Sequence, residues 1–145
     1  MKIIVEEKTA LTAHAEFRVR FSEVDAMDIV WHGNYARYFE DAREAFGEKY
    51  KIGFHDILQA GYTTPLVELS FNYKRPLLYG QKAKVEVFYK KTDAAKVILE
   101  YEIRDYESSM LLATGRTVQV FLDRQNQLVL SNPDFYLEWK RRNGL

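Results

Sequence analysis

The sequence contains no cysteine and no long apolar run. The absence of cysteine excludes a disulfide scaffold, a cysteine-ligated zinc or iron–sulfur site and a thiol nucleophile. It also fits a reducing compartment, so we expect a cytoplasmic protein. No segment approaches the roughly 18–20 apolar residues that span a membrane. Acidic residues interrupt the first eleven positions, which argues against a secretory signal.

The sequence also lacks net charge, because 21 Lys and Arg balance 21 Asp and Glu. We therefore expect no nucleic-acid partner held by bulk electrostatics. The charges are unevenly distributed: residues 1–48 carry 6 basic and 10 acidic side chains, and residues 49–145 carry 15 and 11. An anionic ligand is expected to meet the second part, although an imbalance of this size also arises by chance.

The 145 residues are expected to form a single domain over 1–145, since no linker, repeat or low-complexity tract divides them. A chain of this length buries about 68–70% of its unfolded surface and needs no metal or disulfide to fold. Aromatic residues are abundant, with 9 Phe, 10 Tyr and 2 Trp. They suit a sheet-rich core or an aromatic-lined pocket equally well.

Hydrophobic periodicity predicts a strand, a long helix, four antiparallel strands and a terminal helix. Residues 16–21 alternate as a half-buried strand. Apolar residues then recur every three or four positions from residue 35 to 50, which predicts an amphipathic helix with Asn34 as N-cap and Gly53 as its stop. A short second helix is predicted over 54–60.

Alternating runs over 67–73, 83–89, 97–103 and 112–122 are separated by short turns, which indicates antiparallel hairpins. Asn132 is the expected cap of the last helix, with Pro133 at its first position. The fold class is therefore α+β, with one long helix packed across one antiparallel sheet.

Several common catalytic motifs are absent. There is no G-x-S-x-G elbow, no phosphate loop and no dinucleotide-binding glycine pattern. His14, His32 and His55 are too scattered for an H-E-x-x-H zinc site. We therefore expect neither a metal nor a cofactor.

The candidate reacting group is a carboxylate in the segment between the first strand and the long helix. Asp25 and Asp28 lie shortly before the helix N-terminus, where free backbone N–H groups and the helix dipole stabilise an oxyanion. A carboxylate serves as general base or nucleophile, so the combination is sufficient for acyl transfer. The alternative is structural, because an acidic residue at a helix N-terminus contributes about 0.3–1 kcal/mol.

Two stretches resemble a known family. Residues 21–40, FSEVDAMDIVWHGNYARYFE, closely resemble the signature of the hotdog-fold acyl-CoA thioesterases of the 4-hydroxybenzoyl-CoA thioesterase family, and residues 72–80, NYKRPLLYG, resemble its strand and following turn. With the element order, the resemblance covers residues 17–122. It implies a hotdog fold, in which the antiparallel sheet wraps around the central helix, and a homodimer or homotetramer with active sites at the subunit interface.

The resemblance also implies roles for individual residues. Asp25 matches the catalytic aspartate, as nucleophile or general base, and the backbone N–H of His32 matches the donor that polarises the thioester carbonyl. Asn34 and Tyr35 match residues lining the pocket. The implied reaction is hydrolysis of an acyl-CoA or of an acyl group on acyl carrier protein. Asp28 replaces the family's usual glycine; a positive φ there would be tolerated by Asp, and its charge would alter the pH range or activity.

The phosphates of CoA require cations. By placement alone we expect Arg75 and the pair Lys90 and Lys91 to bind them, with Lys74 and Arg116 as further candidates. Each of these residues also suits a solvated strand face.

On the long helix, Glu40 and Arg43 are spaced for an i,i+3 salt bridge. The alternative is that Glu40 faces the pocket. Two other functions stay open: a hotdog module that binds acyl thioesters without turnover, suggested by Asp28, and a dehydratase or isomerase, whose His and acid arrangement is not found.

Overall fold

The structure is a computed structural model, and it describes residues 5–145. The predicted order of elements is confirmed, with one short strand added near the C-terminus. No helix in the described part is long and apolar enough to cross a membrane. The elements are β1 Glu7–Arg18, α1 Tyr35–Tyr50, α2 Phe54–Gln59, β2 Leu66–Tyr73, β3 Lys82–Lys91, β4 Lys96–Asp105, β5 Leu111–Leu122, β6 Leu128–Val129 and α3 Asp134–Arg142.

The five long strands form one antiparallel sheet in the order β1-β3-β4-β5-β2, and β6 pairs with the end of β5. The short turns between β3, β4 and β5 make consecutive strands neighbours, as hairpin connections require. β2 pairs with β5 alone, so its other edge carries unpaired backbone groups within residues 5–145.

α1 lies across one face of this sheet and packs against β1 and β3. Its apolar residues recur at helical spacing, so one side of the helix is buried. Phe39 lies in the middle of that side and stacks on Tyr101 of β4, with ring centroids 4.4 Å apart. A side chain at Gly115 of β5 would occupy the space of the Phe39 ring, so glycine is required for this close approach.

An aromatic cluster fixes the far end of α1 to α3. It consists of Phe46, Tyr89, Phe121, Tyr136 and Trp139, all essentially buried. The Trp139 Nε1–H donates to the carbonyl of the last α1 residue at 2.8 Å, and the Tyr89 and Tyr136 hydroxyls hydrogen-bond to each other. Burial raises the pKa of Tyr89 to about 12. The cluster therefore stays uncharged at neutral pH.

Three local predictions were wrong. The first strand is not confined to residues 16–21 but spans Glu7–Arg18, because pairing with β3 continues across a register shift. The left-handed residue that ends α1 is Lys51, with φ 58°, and not Gly53, which instead precedes α2. Pro133 lies just before α3, which begins at Asp134, and the Asn132 side chain donates to the Asp93 carbonyl rather than capping.

Candidate active site

The segment before α1 is held as a tight loop by its own backbone. The Asp25 N–H donates to the Ile29 carbonyl at 2.8 Å, and the Asp28 N–H donates to the Asp25 carbonyl at 3.0 Å. The Trp31 N–H then donates to the Glu23 carbonyl at 2.9 Å. These bonds present the side chain of Asp25 at the mouth of a cavity.

The carboxylate of Asp25 has two oxygens in different surroundings. Oδ1 accepts the backbone N–H groups of Met27 at 2.8 Å and Ile29 at 3.4 Å. Oδ2 accepts no hydrogen bond from residues 5–145. One oxygen therefore fixes the orientation of the group, while the other is available to a substrate or to water.

Asp28 occupies a backbone conformation that favours glycine, with φ 60°. The family's usual glycine at this position suggested a positive φ, and the structure has one. Asp tolerates this conformation better than most residues do. Its side chain is exposed and does not line the cavity beside Asp25. Asp28 therefore contributes the turn, through a backbone carbonyl that accepts the Tyr79 N–H at 3.1 Å.

Backbone donors lie at the start of the long helix. A single 3-10 turn, His32–Asn34, leads directly into α1. The N–H groups of His32 and Gly33 donate to no acceptor in the described chain. Free N–H groups at a helix N-terminus carry partial positive charge, so they suit an oxygen that becomes negative during a reaction.

A cavity of about 340 Å³ brings the carboxylate and the helix start together. Of the residues predicted for the site, it includes five: Asp25, His32, Tyr35, Arg75 and the further candidate Lys74. Its walls are Asp25, Ile29, Val30, His32, Tyr35, Tyr73, Lys74, Arg75 and Pro76.

Asn34 is not among these walls. It precedes α1 as predicted, but its side chain makes no capping bond and donates instead to the Glu23 carbonyl at 2.8 Å. Its place in the structure is therefore to hold the loop to the helix start. The role of Asn34 in substrate binding stays a prediction.

Two tyrosines form the inner side of the cavity. Tyr35 is buried, and burial raises its pKa against the opposing effect of the Leu77 backbone amide. Tyr73, at the end of β2, meets Tyr35 edge to face at 4.8 Å between ring centroids and donates its hydroxyl to the His32 carbonyl at 3.1 Å. Sequence reasoning missed Tyr73; its signal was an aromatic residue at the end of a strand.

The cationic residues divide into two groups. Lys74 and Arg75 have exposed side chains on the cavity wall. The backbone N–H groups of both residues donate to the Leu112 carbonyl, which holds the chain in place after β2. Lys90 and Lys91 lie at the C-terminal end of β3. At about 3.3 Å per residue, Lys90 is roughly 26 Å along the strand from its first residue, Lys82. Lys90 is also paired with Glu100 at 3.8 Å.

The structure therefore does not bring Lys90 and Lys91 to the cavity within one subunit. Arg116 is engaged as well, since it forms ion pairs with Glu6, Glu68 and Glu100 on the outer face of the sheet. No group of three or more His, Asp or Glu side chains within residues 5–145 has the arrangement of a metal site.

A second, larger cavity of about 800 Å³ lies farther along the same side of α1. α1 supplies Glu40 and Arg43, which form the predicted ion pair at 3.9 Å. The segment before β2 supplies residues 63–65, and the sheet supplies Leu99 and Gln119. Phe39 lies between Tyr35 of the first cavity and Arg43 of the second, and it lines neither.

An antiparallel sheet around one long helix, with a carboxylate facing the helix start, defines a hotdog-fold protein of the thioesterase type. The family model described as "Thioesterase-like superfamily" matches residues 19–140. The chain belongs to this superfamily, and the predicted hotdog fold is confirmed.

Named relatives agree with this assignment. The chain is 33% identical over 88 residues to a putative acyl-CoA thioesterase, YneP, of Bacillus subtilis, covering 61% of this chain. It is 27% identical over 106 residues to a putative esterase of Synechocystis, covering 73% of this chain. The match spans 64% of the length of each of these two relatives.

Among solved structures, the DHNA-CoA thioesterase from Staphylococcus aureus superposes with a TM-score of 0.79 at 28% identity. The match covers 92% of both chains. The family match over residues 19–140 includes the loop, the helix start and the strands that form the cavity.

Proposed function

We propose that the protein hydrolyses an acyl-CoA thioester to a free acid and CoA. The observation that carries this proposal is the Asp25 carboxylate, with one oxygen fixed and one free, in the same cavity as the N–H donors of α1. The names of the relatives, acyl-CoA thioesterase, esterase and DHNA-CoA thioesterase, support the same reaction.

In the proposed reaction the thioester carbonyl lies between Asp25 and the helix start. Oδ2 of Asp25, or a water molecule that it deprotonates, attacks the carbonyl carbon, and the carbonyl electrons move onto oxygen. The N–H groups of His32 and Gly33 hold that oxyanion. The carbon–sulfur bond then breaks, and CoA leaves as a thiolate. If water attacked, the proton that it gave to Asp25 passes to the thiolate. If Asp25 attacked, a mixed anhydride remains, and a water molecule hydrolyses it to the free acid and the Asp25 carboxylate, releasing the proton that the thiolate takes up.

The exposed cations at the cavity wall suit the phosphates of CoA. Lys74 and Arg75 stand on the side where the cavity opens, so we propose that they bind the carrier. This geometry favours Arg75 over Lys90 and Lys91 among the predicted phosphate ligands. Acyl carrier protein, which also presents a phosphate at its thioester arm, is the alternative carrier.

We further propose that two copies pair through the free edge of β2. Leu69 lies on the helix-facing side of β2, like Phe71, yet it is 42% exposed. Val67, at the register shift between Leu66 and Glu68, is 59% exposed. An unpaired edge combined with exposed apolar side chains is typical of a strand that pairs in an assembly. Light scattering of the wild type and of the Leu69→Lys variant tests the pairing, since a buried lysine there opposes it.

Three narrower statements belong to the same proposal. The motif over residues 21–40 supports kinship with the 4-hydroxybenzoyl-CoA thioesterase family, the reaction needs no cofactor beyond the CoA of the substrate, and its location is the cytoplasm. The alternative of a non-catalytic binding module rested on Asp28, whose exposed side chain outside the cavity gives that alternative no support.

The test is thiol release across a panel of acyl-CoAs by the wild type, Asp25→Asn and the matched control Asp28→Asn. We expect Asp25→Asn to lower kcat by about 10²–10⁴, the range of general-base catalysis. Asp28→Asn is expected to stay within about twofold, because the exposed Asp28 side chain does not line the cavity and Asn tolerates the same positive φ. Equal activity of Asp25→Asn and wild type would refute the mechanism.

A single turnover in ¹⁸O-labelled water separates the two roles of Asp25. If the carboxylate attacks the carbonyl and water then cleaves the anhydride at the Asp25 carboxyl carbon, the peptide containing Asp25 gains mass, and this outcome identifies Asp25 as the nucleophile. If it acts as a base, the label enters only the released acid.

A further inference from the structure

The guanidinium of Arg43 has fewer acceptors in the described chain than its donors can use. The Tyr101 hydroxyl interacts with it, and this contact opposes the rise in the pKa of Tyr101 that burial causes. Its side chain is only 24% exposed, and its Nη1 is buried without a hydrogen-bond partner in residues 5–145. Its Nη2 is 3.9 Å from Glu40, beyond hydrogen-bond range. A guanidinium has five donors, and leaving the Nη1 donors of a half-buried one without an acceptor is costly unless water or a ligand supplies it.

Arg43 lies on the wall of the second cavity, where apolar and polar surfaces meet. Toward α3 the cavity is lined by apolar and aromatic side chains, including Phe46, Leu99 and Trp139. On the other side, Gln119 donates to the carbonyl of Thr64 at 2.7 Å, so its amide N–H is already used. Arg43 is therefore a charged donor on this wall that has an unpartnered nitrogen.

The two cavities lie at opposite ends of β2. Residues 63–65, just before β2, line the second cavity, whereas Tyr73, Lys74 and Arg75, at its end and just after it, line the first. When two β2 edges pair antiparallel across a two-fold axis, the start of one strand lies beside the end of the other. The first cavity of each subunit then adjoins the second cavity of its partner, on the helix-facing side of both sheets.

Within one subunit, the same two cavities are kept apart. Phe39 is buried between Tyr101 and Phe71, and its ring fills the space above Gly115. An acyl group bound at Asp25 therefore does not reach Arg43 of its own chain along the buried side of α1.

We propose that Arg43 of one subunit determines specificity in the active site of its partner, by donating a hydrogen bond to an uncharged oxygen of the acyl group. The inference rests on the proposed thioesterase reaction and on pairing through β2. The acceptor is a hydroxyl or carbonyl oxygen and not a carboxylate, because Glu40, Glu44, Glu48 and Asp56 line the same cavity and repel an anion.

The first test compares matched substrates: hexanoyl-CoA with its terminally hydroxylated analogue, and benzoyl-CoA with its ring-hydroxylated analogues. The wild type is expected to favour at least one hydroxylated member by about tenfold in kcat/KM, the effect of one hydrogen bond from a charged donor. In Arg43→Met this ratio falls to about one, and Arg43→Lys, which keeps the charge but loses the planar donor pair, lies between.

The control is Arg142→Met, an exposed arginine near the end of α3, which leaves the ratio unchanged. Thermal unfolding of each variant shows whether Arg43→Met folds; if it does not, Arg43→Lys carries the comparison. A wild type that hydrolyses no acyl-CoA refutes the proposed function. An active wild type without a preference, or with a preference that Arg43 variants keep, refutes the inference alone.

Mixed dimers show whether Arg43 acts across the interface. Asp25→Asn and Arg43→Met chains are co-expressed with different tags and purified through both. If Arg43 acts on the partner, each mixed dimer has one intact site and hydrolyses the hydroxylated substrate at about half the wild-type rate. If Arg43 acts within its own chain, no site is intact, activity stays at or below that of Arg43→Met, and the arrangement is wrong.

Discussion

The loop over residues 20–34 and the aromatic cluster lie at opposite ends of α1 and are stabilised in different ways. In the loop, backbone hydrogen bonds fix the chain while large side chains such as Met27 and Trp31 remain exposed. In the cluster, Phe121 and Trp139 are buried, and each packs against Tyr136. Burial supplies most of the free energy of folding, whereas a fixed backbone positions reacting groups. The aromatic cluster therefore anchors one end of α1 to the fold, and the loop at the other end carries the candidate active site.

The largest expected effect is on the anchor. Phe121→Ala removes a fully buried ring that contacts Phe135 and Tyr136, so we expect the free energy of unfolding to fall by about 3–5 kcal/mol. Chemical denaturation measures it. Leu137→Ala on α3, where Leu137 is 49% exposed, is the control and should change it by less than about 0.5 kcal/mol. Equal effects of the two variants would contradict the role of the cluster.

At the candidate active site we expect a smaller effect, which changes catalysis and leaves stability nearly unchanged. Tyr73→Phe removes the hydroxyl that holds the His32 carbonyl, so the helix-start donors lose part of their alignment. We expect kcat to fall by about fivefold, equivalent to one neutral hydrogen bond, while KM and the melting temperature change little. Steady-state kinetics checks this, with Tyr79→Phe as control because the Tyr79 hydroxyl makes no hydrogen bond within residues 5–145. A change confined to KM would contradict a positioning role.

The backbone of the loop can be probed at Asp28. Asp28→Gly relieves the positive φ and is expected to raise the free energy of unfolding by up to about 1 kcal/mol, whereas Asp28→Val, which is β-branched, should lower it by about 1–2 kcal/mol. Chemical denaturation of the two variants shows whether each substitution raises or lowers the free energy of unfolding. Stabilisation by valine would show that the loop adopts another conformation in solution.

The smallest effect concerns acid stability. Asp105 accepts hydrogen bonds from Gln81 and Ser108, which lower its pKa from 3.8 to about 2. Because the folded pKa is depressed, this contribution to stability is present above pH 3.8 and is lost as the pH falls toward 2. We expect Asp105→Asn to be less stable than wild type at neutral pH, with the difference vanishing near pH 2. Unfolding curves across this range test it; a constant difference would contradict the linkage.

The sequence predicted the elements more reliably than their partners. Alternation and helical spacing are local properties, so α1 and β3 were located within a few residues, and the motif around Asp25 identified the loop. Lys90 was predicted as a phosphate ligand because its charge is visible in the sequence, but strand register, which places it at the far end of β3, is not. Likewise, the ion pair of Arg43 with Glu40 follows from their spacing in the sequence. The unpartnered Nη1 of Arg43 depends on how α1 packs against the sheet, which the sequence does not reveal.

The contact of Phe39 with Gly115 bears on how substrate preference can evolve. The partition between the two cavities is one aromatic ring thick, and any side chain at position 115 would displace that ring. The walls of the cavities, at positions such as 43 and 119, accept replacement without disturbing the partition. New preferences are therefore accessible by single mutations in the walls, whereas a larger residue at position 115 requires a compensating change at position 39.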